Sequence, residues 1–354
     1  YKEVTILKFF YRIIAIFLIL ICIQYSVFAD DIEENEVVNI EKIIETSSNI
    51  YNSEPKLNSR VGVVYDRKSK RIIYNKNGDD RKAMASTTKI MTLLVAIEHS
   101  NLNEVVTVSK KAAGTGGSRL KINAGDKIKM QDLLYGLMLR SGNDAAVAIA
   151  EHIGGNVEKF VELMNEKAKE LGLKDTHFVT PHGLDNSDHY TTGCELAKLA
   201  DIALENEVFR KIVGTKTCNI QINGNIRAIA NTNELLGNYQ GVYGVKTGFT
   251  GNAGRCLVTA VKNDKLDLIV VVLGADTKND RTKDSVKLIN YVQNNYYELE
   301  LENIIIKKFN EWNNINNNRI YINKAVKKEI ELELSKIENT IIPIKNGEDQ
   351  KLEI

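Results

Sequence analysis

Strand-forming stretches lie at both ends of a helix-rich middle, and that split is what most narrows the folds open to this chain. Residues 60–65 and 71–74 are rich in Val, Ile and Tyr and flank a polar turn at 66–70, the pattern of a hairpin. Near the other end, residues 241–250, 255–261 and 266–274 form three further strand-like stretches separated by the turns 251–254 and 262–265. Turns this short reverse the chain, so the three strands run antiparallel. Two early and three late strands then make a five-stranded antiparallel sheet with a helical insertion, an α/β architecture.

Helical periodicity fills the insertion. Ile90, Leu93, Leu94 and Ile97 recur at i, i+3, i+4 and i+7, which predicts an amphipathic helix beginning close to Ser86. Further helices are expected over 130–140, 144–152, 157–171 with Gly172 as the stop, and 194–204. Ser141-Gly142-Asn143 is short enough to be a tight corner, and residues 176–192 are a polar loop holding Pro181, Gly183, His177, His182 and His189. Helices over 32–52 and 282–297 open and close this unit. From Leu301 onward the chain turns to short charged and β-prone pieces at 304–307, 319–322, 329–334 and 340–344. Residues 30–298 are therefore expected to form the main domain, and 299–354 the start of a small β-rich one.

Lys8 and Arg12 precede an apolar run over 13–23, and Val27-Phe28-Ala29 stands just before the acidic residues 30–34. This is the pattern of an export signal over 1–29, cleaved after Ala29. A net charge of +1 without a long basic run gives nucleic-acid binding little electrostatic support. With Cys22 in the signal, Cys194, Cys218 and Cys256 remain, an odd number without C-x-x-C spacing, so neither a disulfide framework nor a thiolate zinc site is indicated. His177, His182, His189 and Asp185 lack H-E-x-x-H spacing and read as a structured loop rather than a metal cluster. Residues 114–118 are glycine-rich without Walker spacing and read as a plain turn.

Chemistry enters through Ser86 and Lys89. Three residues apart on a helix, their side chains stack one turn from each other, bringing an amine to a hydroxyl. A serine needs such a base to become a nucleophile. The spacing alone is common, since Ser53/Lys56 and Ser118/Lys121 repeat it. What singles out Ser86 is the order Ser86-Thr87-Thr88-Lys89, Ser141-Gly142-Asn143 and Lys246-Thr247-Gly248, with the flanks Pro181-His182-Gly183, Asn231-Thr232-Asn233 and Phe249-Thr250. On these motifs the chain resembles the penicillin-recognising serine enzymes, and within them the low-molecular-weight D-alanyl-D-alanine carboxypeptidases, over roughly residues 38–297.

The resemblance implies a β-lactamase/D,D-peptidase-like fold and an acyl-enzyme on Ser86, without metal or organic cofactor. It implies Lys89 as the base, Ser141 as the relay toward the leaving amine, Asn143 on the substrate amide and Lys246 as positive charge in the cleft. Thr247 meets the substrate's terminal carboxylate, Gly248 lets a peptide lie against the strand, and the N–H groups of Ser86 and Phe249 receive the oxyanion. Only about one free lysine in 2,500 is neutral at pH 7, so a lysine base needs about 4 kcal/mol of environmental bias. Desolvation and a second lysine both act in that direction. Peptidoglycan stem peptides are the implied substrates and β-lactams the covalent inhibitors. The implied location is extracytoplasmic, at the cell wall or the outer face of the cytoplasmic membrane, with peripheral membrane association compatible.

One departure stands out: where the resemblance leads one to expect an arginine on the strand after the third motif, Leu266-Asp267-Leu268 offers an acid, with Arg255 as the nearby substitute. Two alternatives follow. A β-lactamase needs a carboxylate base for deacylation, and residues 176–192 contain no glutamate. A non-catalytic cell-wall peptide-binding protein is favoured only by Asp267.

Overall fold

The computed structural model describes residues 38–47, 54–264, 266–300 and 341–345. The export segment expected over 1–29 and the β-prone pieces at 304–307, 319–322 and 329–334 lie outside the described residues. Helix α1 (Ile40–Ser47) precedes strands β1 (Val61–Asp66) and β2 (Arg71–Lys76), and a 3-10 turn (Ala85–Thr88) runs directly into α2 (Lys89–His99). Next come β3 (Val105–Thr107), α3 (Lys110–Ala113), β4 (Lys127–Lys129), α4 (Met130–Leu139), α5 (Asn143–Gly154), α6 (Val157–Glu170), α7 (Gly193–Glu205) and α8 (Glu207–Val213). The hairpin β5 (Thr217–Ile222) and β6 (Asn225–Ala230) leads to β7 (Val242–Thr250), β8 (Gly254–Lys262), β9 (Asp267–Ala275) and α9 (Lys278–Asn295).

The five long strands form one antiparallel sheet in the order β2-β1-β9-β8-β7. Alternation along β9 explains why it reads as an almost unbroken apolar run. Ile269, Val271 and Leu273 face the inserted helices, while Leu268, Val270 and Val272 pack against α1 and α9. A strand covered on both faces has no polar side to show. Each such side chain contributes about 1.5–3 kcal/mol on burial. The first face meets Ile90, Leu93 and Leu94 of α2, so the core that fixes the sheet also fixes the start of α2. β7 is left as the edge strand beside that start.

The five-stranded sheet and the helical insertion match the sequence expectation, which does not include β3, α3, β4, α8 or the β5–β6 hairpin. In the β5–β6 hairpin, β5 alternates cleanly, with Cys218, Ile220 and Ile222 toward the core and Thr217, Asn219 and Gln221 exposed, although β6 of the same hairpin buries only Ile229. The hairpin's turn signal was Asn223-Gly224, both at positive φ (51° and 80°), the dipeptide that suits a two-residue hairpin turn. The expected domain boundary at 298 falls inside β10 (Tyr296–Glu300), which follows α9 and pairs with β11 (Ile341–Lys345). Among the described residues, no helix is long and apolar enough to cross a membrane.

Candidate active site

The Ser86 turn is held from three sides. Ala85 sits at φ 47°, a conformation that side chains with a Cβ rarely adopt. Its carbonyl accepts the Thr88 hydroxyl (2.7 Å), and the Met84 carbonyl accepts that of Thr87 (2.5 Å). His189, buried in the 176–192 loop, lies 2.7 Å through Nε2 from Thr88 Oγ1. Its Nδ1 accepts the Val179 N–H (2.9 Å), which assigns the proton of the neutral ring to Nε2. Burial, with His177 and Lys89 as neighbouring charges, pushes the His189 pKa down to about 4. Gly183, at φ 89°, presses on the same turn: a Cβ there would stand 1.9 Å from the Ala85 carbonyl oxygen.

Lys89, the first residue of α2, is fully buried, and its Nζ donates to Ser86 Oγ (2.8 Å), Asn143 Oδ1 (2.7 Å) and the His182 carbonyl (2.8 Å). All three acceptors are uncharged oxygens. Burial first, and then the Lys89 charge, push the His182 pKa down to about 3, so the ring beside the site is neutral. Asn143 is fixed in turn: its Nδ2 donates to the Gly116 carbonyl (2.8 Å) and its N–H to the Ser118 carbonyl (2.8 Å). Asp144, fully buried, accepts the N–H groups of Leu120 and Ile122 and holds that segment in place. Residues 114–118, read from sequence as a plain turn, therefore support the lysine through Asn143. That role had no signal in the local pattern.

Ser141 occupies the corner between α4 and α5 at φ 55°, and its buried Oγ has no hydrogen-bond partner among the described residues. On the sheet side, Lys246 is buried and donates to the Thr247 carbonyl (2.8 Å). Thr247 Oγ1 lies 2.7 Å from Thr232 Oγ1. A Cβ on Gly248 would come within 3.1 Å of Ser86 N and 3.2 Å of Thr87 N, so this glycine is what lets β7 lie against the turn. Phe249 pairs across the sheet with Arg255, whose guanidinium sits 3.9 Å above its ring, a cation–π contact. Ser86, Lys89 and Asn143 thus form one hydrogen-bonded cluster with Gly248 packed on it, and Thr247 and Phe249 flank Gly248.

The reading of Asp267 as a departure is corrected by the strand order. The strand directly after Lys246-Thr247-Gly248 is β8, and Arg255 is its second residue. Asp267 begins β9 and is paired with Lys262, at the other end of β8 from Arg255. There it accepts from the Tyr243 hydroxyl (2.6 Å) and Arg67 Nη1 (3.4 Å) in a structural network that also includes Asp201. Position along the sequence does not by itself say which strand lies beside the third motif; the pairing of β7 with β8 does.

The histidine loop serves the fold: His182 supplies a carbonyl to Lys89, His177 meets the Asp188 carbonyl, and Asp185 accepts from Thr250 Oγ1 and Asn252 N–H. Among the described residues, no three His, Cys, Asp or Glu side chains are grouped to hold a metal ion.

A family model described as D-alanyl-D-alanine carboxypeptidase matches residues 48–277. The D-alanyl-D-alanine carboxypeptidase DacF of Bacillus subtilis (strain 168) is 36% identical over 299 residues, covering 82% of this chain and 74% of that protein. That of Streptomyces sp. (strain K15) is 38% identical over 237 residues, covering 62% of this chain and 81% of its own. The crystal structure of the Streptomyces K15 DD-transpeptidase aligns with a TM-score of 0.65 at 35% identity, over 68% of this chain and 98% of that one. Motif order, sheet and relatives agree: the chain belongs to the D-alanyl-D-alanine carboxypeptidase family, whose members are penicillin-binding serine peptidases.

Proposed function

We propose that this protein removes the terminal D-alanine from peptidoglycan stem peptides through an acyl-enzyme on Ser86. Ser86 Oγ attacks the carbonyl of the penultimate D-alanine while its proton passes to Lys89 Nζ. To act as the base Nζ must be a neutral amine, whose two hydrogens stay on the oxygens of Asn143 and His182 while its lone pair turns to Ser86 Oγ. The N–H groups of Ser86 and Phe249 receive the oxyanion, each worth about 3 kcal/mol in the transition state. The C–N bond then breaks as the Ser141 hydroxyl passes its proton to the leaving amine and takes the proton held by Lys89 in exchange, and water releases the shortened peptide. Lys246 supplies positive charge, and Thr247 contacts the substrate's carboxylate.

The observation that carries this reading is the 2.8 Å contact between Lys89 Nζ and Ser86 Oγ, made by a lysine with no solvent exposure. β-Lactams acylate the same oxygen. Release of the resulting penicilloate is expected to be slow, because residues 176–192, where a deacylating base would be sought, hold no glutamate and their Asp185 is committed to Thr250 and Asn252. We take residues 1–29 as an export signal, 30–298 as the catalytic unit and 299–354 as belonging to a β-rich domain. This puts the enzyme at the cell wall or the outer face of the cytoplasmic membrane. The test is release of D-alanine from a pentapeptide ending in D-Ala-D-Ala. Wild-type protein liberates it and Ser86→Ala does not; equal release by both overturns the assignment.

A further inference from the structure

We propose that Thr232 is a positioning residue that sets the direction of the Thr247 hydroxyl, so that Thr247 presents its hydrogen to the substrate's terminal carboxylate. The inference rests on the reading of Thr247 given above. Thr232 and Thr247 stand with their hydroxyl oxygens 2.7 Å apart, and either one is able to donate to the other. A hydroxyl has one hydrogen. If Thr247 spends its hydrogen on Thr232, it offers an incoming carboxylate only lone pairs. If Thr232 donates instead, Thr247 Oγ1 accepts that bond and its own hydrogen is left for the carboxylate. A bound carboxylate selects the second arrangement, giving a chain from Thr232 to Thr247 to substrate.

The surroundings hold Thr232 in position for this. Its own N–H donates to the Leu139 carbonyl (3.2 Å) at the end of α4, two residues before Ser141. Asn231 on one side donates through Nδ2 to the Thr215 carbonyl (3.1 Å) and accepts the Asn233 N–H (3.0 Å). Asn233 on the other side donates to the Gly244 carbonyl (3.1 Å) of β7 and accepts the Leu235 N–H. Glu234, next in the chain, is tied to Arg281 (2.7 Å) and Lys278 (2.8 Å) of α9. Both asparagine side chains are thus spent on fixing the backbone, and the residue between them is half-buried with its hydroxyl toward β7. Thr247 is buried, so a loss of this partner is not made good by bulk water.

The test is a KM-against-kcat split on the carboxypeptidase reaction with Thr232→Val and Thr232→Ser. Valine keeps the shape and the backbone N–H but removes the hydroxyl, whereas serine keeps the hydroxyl. Thr232→Val is expected to raise KM by about fivefold with kcat within twofold, and Thr232→Ser to restore wild-type KM. An unchanged KM in Thr232→Val, an equal rise in Thr232→Ser, or a fall in kcat matching the rise in KM overturns the inference. Wild-type protein that releases no D-alanine fails the underlying reading instead, so the two failures are distinguishable.

Discussion

Lys89 carries the heaviest chemical load in the proposed site, and its neighbours explain what replacing it does. Methionine matches its length without a base, so Lys89→Met is expected to slow acylation by a labelled penicillin by about 10²–10⁴-fold. It also leaves two buried oxygens, on Asn143 and His182, without the lysine hydrogens they accept, at a cost of about 1–3 kcal/mol each. A penicillin time course read beside a urea melt separates the two effects. The glycines behave differently from each other. Gly183→Ala places a Cβ 1.9 Å from the Ala85 carbonyl at a backbone angle that disfavours one, and is expected to lose about 2 kcal/mol or more of stability. Gly248→Ala meets Ser86 N at 3.1 Å, which a shift of a few tenths of an ångström relieves. It is expected to slow acylation while the melting temperature changes little, and a large stability loss with unaltered acylation refutes that. Ser86, Lys89, Ser141 and Lys246 were legible as motif members. The orientation of Asn143, with its oxygen on Lys89 and its nitrogen on Gly116, was not, because nothing in a local pattern says which carbonyl will stand opposite an amide.

The 176–192 loop is where sequence patterning says least, having neither period, yet it buttresses the Ser86 turn through His189 and Gly183. Its pH behaviour follows from the neutral ring of His189. In the unfolded chain a histidine takes a proton below about pH 6.5, while His189 in the fold does so only near 4. Between those values the unfolded state binds more protons, so stability falls as the pH falls, by about 1.4 kcal/mol per pH unit from this residue. His182, with a pKa of about 3, adds in the same direction. Melting temperatures recorded from pH 7 down to pH 4 are expected to drop steeply for the wild type and less steeply for His189→Gln; parallel curves refute the contribution of His189. The β5–β6 hairpin shows the opposite limit, since its turn signal and the alternation of β5 are both local, while only β6 is too exposed to alternate clearly. The strands of the sheet were easier to read because both of their faces are packed, whereas the loop geometry depends on single contacts across the chain.

In the whole molecule, the proposed site lies where a sheet edge meets an inserted helical unit, with Ser86 and Lys89 on the helical side and Lys246, Thr247 and Gly248 on β7. The two hydrophobic clusters share β9, so the face that packs on α9 and the face that packs on α2 are set by one strand. Arg281, fully buried in α9, joins Glu234 on the turn that leads to β7. Arg281→Met removes one of the two cations on Glu234 and leaves Lys278, so it is expected to lower the unfolding free energy by about 1–3 kcal/mol in a urea titration. The split between early and late strands was visible in sequence because hairpins and apolar runs are local. The long-range choice of neighbour was not, and Asp267 was mistaken for the residue beside the third motif, where Arg255 in fact stands opposite Phe249. That exchange returns a basic residue to the neighbourhood of Thr247 and removes the one argument for a binding-only protein. The most direct measurement is the mass of the protein after incubation with benzylpenicillin, followed by peptide mapping. A single adduct of one penicillin mass on the peptide holding Ser86, absent from Ser86→Ala, is predicted; an adduct elsewhere, or one that persists in Ser86→Ala, contradicts it.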